Sequence, residues 1–199
     1  MSTRVQSATW LSVAILAASF VPSVVAAGPS LEGRYGMTGI GACLSSAAGF
    51  YPNNVAVEPS SANSIVNRGV LTFHHDGTGS AKVFQTQLNL PPAQFTFSGS
   101  SEITFNFTYR LGSEGTMTLD MLLDSYVATF LTGPRAGSSS TYVTTPPLSP
   151  TWVWSGTYSP DRKTLLLNNG DTLSKVRSST GSEVYVICQL ERVLTRLTP

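Results

Sequence analysis

Residues 102–111 read Glu-Ile-Thr-Phe-Asn-Phe-Thr-Tyr-Arg-Leu, and large apolar side chains occupy every second position from Ile103 to Leu111. Because successive side chains of a β-strand point to opposite faces of a sheet, this spacing is typical of a half-buried strand. Similar alternation recurs in residues 70–75, 80–88, 116–122, 126–132, 152–158 and 183–194. The sequence therefore predicts an all-β fold.

Short turn sequences separate these segments and predict that most of them are joined as hairpins. The turns are Asp-Gly-Thr-Gly at 76–79, Gly-Ser-Glu-Gly at 112–115, Ser-Pro-Asp-Arg at 159–162 and Asn-Asn-Gly-Asp at 168–171. Pro91-Pro92 and Pro146-Pro147 mark longer connections, since proline cannot donate to a strand ladder. Residues 45–66 carry weaker signals, and we expect a loop or covering segment there with up to one helical turn. The pattern predicts eight or nine antiparallel strands.

The only two cysteines, Cys43 and Cys188, lie near the two ends of the β-rich region. A closed barrel pairs its first strand with its last and so leaves no exposed sheet edge. If Cys43 faces Cys188 in that antiparallel pair and forms a disulfide, then Tyr35 faces Arg196 and Gly39 faces Arg192. We therefore predict a single up-and-down-like antiparallel β-barrel with paired N- and C-terminal strands. A β-sandwich is the alternative.

Residues 1–27 have the three-part plan of a secretory signal peptide. Arg4 precedes an apolar run over residues 10–21, and Pro22 separates that run from Val25-Ala26-Ala27. A membrane anchor is the alternative, but the run is about a dozen residues and a spanning helix needs roughly 20. We expect cleavage after Ala27, which leaves residues 28–199 as one secreted or periplasmic domain with no membrane span. A disulfide fits that compartment.

The charge composition excludes one class of partner. The chain has 12 Lys and Arg against 11 Asp and Glu, with a formal net charge of +1. Without a basic cluster there is no electrostatic surface for the phosphates of a nucleic acid. We expect no nucleic-acid partner, and the sequence identifies no protein partner.

Gly33-Arg34-Tyr35 opens the first predicted strand, and Arg192 and Arg196 lie near the end of the last. This arrangement resembles the calycin group of secreted barrels, which includes the lipocalins and avidins. In that group a Gly-x-Trp near the N-terminus packs under a C-terminal basic residue, and Tyr35 replaces the tryptophan here. The resemblance implies a barrel closed at one end by a cation over an aromatic ring, formed by Tyr35 with Arg196 or Arg192.

Aromatic residues on the inward strand faces are the candidate ligand-lining residues. They are Trp152, Trp154, Tyr158, Phe105, Phe107 and Tyr109. An eight-stranded barrel is either filled by its own side chains or leaves room for one small ligand, and the sequence leaves both cases open.

No residue pattern predicts a catalytic, metal or cofactor site. His74-His75-Asp76 contains metal-binding residue types, but adjacent strand residues point to opposite faces and do not easily share one ion. We predict no cofactor. The leading hypothesis is a non-enzymatic binding module for a small apolar ligand. A structural or interaction protein with a solid barrel is the second hypothesis, and an enzyme of unrecognised type is the least favoured.

Overall fold

The computed structural model describes residues 30–53, 55–90, 98–142, 151–169, 173–178 and 183–198. The predicted leader and both Pro-Pro connections lie outside these ranges. Within them the chain forms ten β-strands and no helix, so none of the described residues belongs to a helix that could cross a membrane. The strands are β1 (Gly33–Ser46), β2 (Ser60–Phe73), β3 (Thr78–Leu90), β4 (Gly99–Leu111), β5 (Thr116–Phe130), β6 (Ser139–Tyr142), β7 (Thr151–Tyr158), β8 (Thr164–Asn169), β9 (Leu173–Ser178) and β10 (Glu183–Arg196).

The strands close into one antiparallel barrel with eight strand positions. β1 to β5 form a meander in which each strand pairs with the next. β5 then pairs with both β6 and β7, so β6 and β7 together occupy one strand position. β10 pairs with both β8 and β9, which likewise share one position. β6 pairs with β9 and β7 with β8, and the β1–β10 ladder closes the circle. The barrel prediction is confirmed, with β6–β7 and β8–β9 each forming an interrupted strand.

The register of the closing ladder is the one that the cysteines predict. Tyr35 lies opposite Arg196, Gly39 opposite Arg192 and Cys43 opposite Cys188. Cys43 and Cys188 form a disulfide with their Cα atoms 4.1 Å apart. The bond therefore joins the first strand to the last, and it is compatible with a location outside the cytoplasm.

Two sequence expectations need correction. β2 begins at Ser60, inside the segment expected to be a loop, and the described part of residues 47–59 is irregular with one isolated bridge from Phe50 to Ala56. Segments 116–122 and 126–132 form most of the single strand β5, whose pairing with β4 shifts register between Thr104 and Asn106. The shift interrupts the alternation of inward and outward side chains along β5, and for this reason the sequence pattern indicated two segments instead of one strand.

One half of the barrel interior is solid. Phe73 lies at its centre, and its ring centroid is 5.0 Å from that of Tyr35, 5.1 Å from Phe107 and 5.2 Å from Tyr109, each in an edge-on arrangement. We call these four residues the aromatic plug. Leu31 is buried beside it, its N–H donates to the Tyr109 hydroxyl at 3.0 Å, and its carbonyl oxygen lies 2.7 Å from that hydroxyl. Each edge-on pair adds about 0.5–1.5 kcal/mol beyond area burial, so the plug closes this end of the barrel firmly.

Candidate functional site

The other half of the barrel contains a partly open cavity of about 640 Å³. Small-molecule sites usually span about 300–1,000 Å³, so the volume matches that of a ligand pocket. Inward side chains from β1 to β7 and from β10 contribute to the wall, and the loop between β5 and β6 borders it at Pro134, Arg135 and Ala136. The barrel is thus plugged at one end and hollow at the other.

The structure places the six predicted ligand-lining aromatics in three different locations. Phe105, Trp152 and Trp154 line the cavity. Phe107 and Tyr109 belong to the aromatic plug instead, because β4 runs from the hollow half into the solid half of the barrel. Tyr158 lies away from the cavity, and its hydroxyl donates to the carbonyl oxygen of Gly112 at 2.9 Å.

The buried cation Arg192 and the aromatic ring on which it stacks form part of the cavity wall. The guanidinium carbon of Arg192 lies 3.7 Å from the ring centroid of Trp154, and the edge-on ring of Phe105 is 5.6 Å from that centroid. Arg192 Nη1 donates to Asn169 Oδ1 at 2.9 Å, and Asn169 Nδ2 donates to the Cys188 carbonyl oxygen at 2.8 Å. We call Trp154, Asn169 and Arg192 the arginine cluster. It lies beside the disulfide that closes the barrel.

The predicted closing residues lie at two different levels of the barrel. Tyr35 is buried in the aromatic plug, and its hydroxyl donates to the carbonyl oxygen of Arg162 at 2.7 Å. Burial raises the pKa of that hydroxyl, while the nearby charges of Arg196 and Arg162 partly offset the rise. Arg196 is exposed opposite Tyr35, whereas Arg192 stacks on Trp154. Sequence reasoning did not identify Trp154 as the ring beneath Arg192, since the two lie on strands that are not neighbours.

Carboxamide side chains occupy the cavity face of β2 and β3. We call Asn63, Asn67, Gln85 and Gln87 the carboxamide wall, and all four line the cavity. Asn67 lies opposite Gln85 in the β2–β3 ladder, and Ile65 lies opposite Gln87. Sequence reasoning missed this wall because polar residues weaken the alternation. The sequence did contain one signal for the two asparagines. Asn63 and Asn67 are odd-numbered, like Leu71 and Phe73, so alternation along the strand places all four on the same face.

Three buried polar atoms near the cavity are left without partners. Asn63 Oδ1, Asn67 Oδ1 and Trp154 Nε1 have no hydrogen-bond partner among the residues that the structure describes. Asn63 and Asn67 are only 1% and 4% exposed. Most buried polar groups in proteins have a hydrogen-bond partner, so we expect a ligand or ordered water to supply the partners of these three atoms.

Charged and phenolic groups border the cavity near the β5–β6 loop. The guanidinium carbon of Arg135 lies 4.1 Å from the Phe130 ring centroid, and its Nη2 donates to Ser140 Oγ at 2.8 Å. Burial lowers the pKa of Arg135 and raises that of the Tyr126 hydroxyl. Glu183 forms an ion pair with Lys175. Ionic and hydrogen-bonding groups thus border the cavity near this loop.

The His74-His75-Asp76 sequence lies outside the cavity, at the turn between β2 and β3. Asp76 Oδ1 accepts hydrogen bonds from the Thr78 N–H at 3.0 Å and the Thr78 hydroxyl at 2.7 Å, and these bonds lower the pKa of Asp76. Within the described ranges no three His, Cys, Asp or Glu residues are grouped in a way that could hold a metal ion. Asp76 therefore stabilises the turn between β2 and β3.

Comparison with known proteins adds no relationship, because no protein-family model and no curated protein matches the sequence. The geometry of the cavity is therefore the basis for the functional proposal.

Proposed function

We propose that this protein is a non-enzymatic binding module that holds one small, largely apolar molecule inside its barrel. The cavity of about 640 Å³ is the observation that carries the proposal. Protein interiors are close-packed, with few voids larger than a water molecule, and the plugged half of the same barrel follows that rule. A space this large in the other half is best explained as room for a ligand.

The lining supports an apolar body for that ligand. Apolar side chains from seven strands face the cavity, namely Met37, Ile65, Val83, Ile103, Phe105, Met121, Trp152, Val186 and Leu190. Burial of apolar surface contributes roughly 25 cal/mol per Å², so contact with these groups supplies the main driving force for binding.

The proposed location is secreted or periplasmic, as in the lipocalin-like barrels that the terminal strands resemble. The disulfide and the signal-peptide pattern of residues 1–27 support export, with cleavage after Ala27. Mass spectrometry of the exported protein tests this part directly. We expect a chain that begins at Gly28 with both cysteines oxidised, and a retained leader would contradict it.

Ligand binding can be tested by titration with N-phenyl-1-naphthylamine, a neutral apolar dye that becomes fluorescent in apolar surroundings. We expect saturable binding of one dye per chain. Ala128→Phe should abolish binding because Ala128 lines the cavity, and Ser101→Phe should do the same from the neighbouring strand. Val127→Phe is the matched control, since Val127 is on the outer surface of the same strand. Equal binding by all variants, or no saturable binding by the native protein, would refute the proposal.

A second candidate, an interaction protein of the cell exterior, is favoured by apolar side chains on the outside of the barrel. Ile40 and Val66 face each other across the β1–β2 ladder and are 65% and 54% exposed. Exposed apolar pairs of this kind occur at protein interfaces. Concentration-dependent association that is lost in Ile40→Ser/Val66→Ser, together with no dye binding, would favour this candidate over a carrier.

A further inference from the structure

We infer that the ligand is a neutral molecule with hydroxyl groups on an otherwise apolar body, and that Asn63 and Asn67 recognise those hydroxyls. The inference rests on the proposed binding function and adds the chemical class of the ligand. It starts from the two buried carboxamide oxygens that lack partners among the described residues.

Asn63 and Asn67 lower the stability of the ligand-free protein. A buried polar atom without a hydrogen bond loses its contacts with water and gains nothing in return. An apolar residue of similar shape, such as leucine, would avoid that loss at either position. The carboxamides therefore have a better explanation in binding than in folding.

The spacing of the two asparagines along β2 indicates the shape of the ligand. Asn63 and Asn67 are on the same face of β2 with Ile65 between them, and four residues of strand span about 13 Å. Ile65 also lines the cavity. The cavity face of β2 is thus polar, apolar and polar along its length, which suits an elongated molecule with an apolar middle and a polar group toward each end.

Hydroxyl is the functional group that fits the unpaired atoms. The asparagine oxygens need donors, whereas Trp154 Nε1 needs an acceptor. A hydroxyl supplies one donor and two acceptor sites, so a single type of group can answer both needs. The χ2 torsion of asparagine has broad minima, which lets each carboxamide turn toward a bound group.

A neutral ligand fits better than a charged one. Arg192 is 3% exposed, stacks on Trp154 and donates to Asn169, so this cation already contributes to the barrel itself. The other charged lining residues already have partners, since Arg135 donates to Ser140 and Glu183 forms an ion pair with Lys175. Carboxamides carry no net charge to offset an ion. Burial of a hydroxyl costs far less than burial of a carboxylate or an ammonium group.

Two matched probes test the inference on the full mature chain by isothermal titration calorimetry. The first is 4,4′-dihydroxybiphenyl, an apolar rod with one hydroxyl at each end, and the second is 4,4′-dimethoxybiphenyl, which lacks donors. We expect the dihydroxy probe to bind the native protein at least about tenfold more tightly. Asn63→Leu and Asn67→Leu should each reduce this preference by about 3–10-fold. Ser64→Leu, which changes an exposed neighbour, should leave the preference intact.

The outcomes separate this inference from the binding function. Equal binding of the two probes would mean that water alone satisfies the asparagines, which overturns the inference and leaves the binding function standing. Failure of both probes and of the naphthylamine dye would overturn the two together. The melting temperature of the ligand-free leucine variants should be unchanged or higher, because an unpaired acceptor is removed. A lower melting temperature would show that the carboxamides hold the barrel itself, and this would also overturn the inference.

Discussion

Arg192 shows how a single buried cation is accommodated in this protein. Its side chain is flat against Trp154 and donates to Asn169, which in turn donates to the Cys188 carbonyl oxygen. Cation–π contact contributes about 0.5–2 kcal/mol depending on desolvation, and a hydrogen bond from a charged donor about 1.5–3 kcal/mol. The residue therefore links three strands at the level of the disulfide.

Replacement of Arg192 should destabilise the fold measurably. Arg192→Met removes the stacked cation and leaves Asn169 Oδ1 buried without this donor, so we expect the free energy of unfolding to fall by about 2–4 kcal/mol. Urea denaturation followed by tryptophan fluorescence measures it. Arg110→Met is the control, because the Arg110 side chain is 78% exposed and its ion pair with Asp120 is on the surface. Equal losses in the two variants would contradict the role of Arg192.

Two buried tyrosines and one partly buried tyrosine make the free energy of unfolding depend on pH in the alkaline range. Burial raises the pKa values of Tyr35, Tyr109 and Tyr126 above the ordinary value near 10. Below the ordinary value both folded and unfolded chains keep the phenolic protons, so these groups do not affect the equilibrium. Above it the unfolded chain loses protons first, which favours unfolding.

We therefore expect the free energy of unfolding to be steady up to about pH 9 and to fall between about pH 10 and 11. Urea denaturation across that range measures the fall, and the rise in phenolate absorbance near 295 nm reports the ionisation directly. A Tyr126→Phe variant should show a shallower fall. A flat stability profile from pH 8 to 11 would rule out this linkage.

At the scale of elements, β1 approaches β10 closely through two inward-facing glycines. A Cβ on Gly41 would collide with the Gln189 carbonyl oxygen and come within 2.8 Å of the Leu190 Cα. A Cβ on Gly39 would come within 2.7 Å of the Glu191 carbonyl oxygen. Both glycines are needed for the backbone approach that closes the barrel.

Gly41→Ala should cost about 1–3 kcal/mol of unfolding free energy, because the nearest atom it meets is the Gln189 carbonyl oxygen, which belongs to backbone that cannot move without breaking the ladder. Gly36→Ala is the matched control in the same strand. Its Cβ would lie 3.1 Å from Leu197 Cδ2, the end of a side chain that can rotate away. Thermal unfolding of the two variants compares them, and equal melting temperatures would argue against a close backbone approach at Gly41.

For the whole molecule, the disulfide connects residues 145 apart and closes most of the chain into one loop. The β1–β10 ladder runs over twelve residue pairs, so the closing strands hold their register without the covalent bond. The bond acts mainly on the unfolded chain, whose ends it keeps together.

Cys43→Ala/Cys188→Ala should therefore fold into the same barrel with lower stability. The chain-entropy relation gives a loss of about 5 kcal/mol for a loop of this length. Urea denaturation of the variant and of the reduced native protein should agree with each other. A loss below about 1 kcal/mol would mean that the unfolded chain keeps its ends close without the bond.

What the sequence determined by itself was the strand architecture and its closure. Alternation of side chains is a property of the extended backbone, so Ile103 to Leu111 predicts a strand without reference to any other part of the chain. The two cysteines then restricted the closing ladder to one register, and this placed Tyr35 opposite Arg196. The prediction was weakest at the start of β2, where buried Asn63 and Asn67 interrupt the apolar pattern.

Only the tertiary structure decided which half of the barrel is solid and which is hollow. Packing of Phe107 against Phe73, and of Arg192 on Trp154, depends on strand stagger and on side-chain volumes added around the whole circumference. Alternation along a strand shows which of its side chains point inward. It does not show which side chains from the opposite side of the barrel will contact them. The cavity and its unpaired carboxamides arise from that sum of distant side chains, and for this reason they could not be read from any one segment.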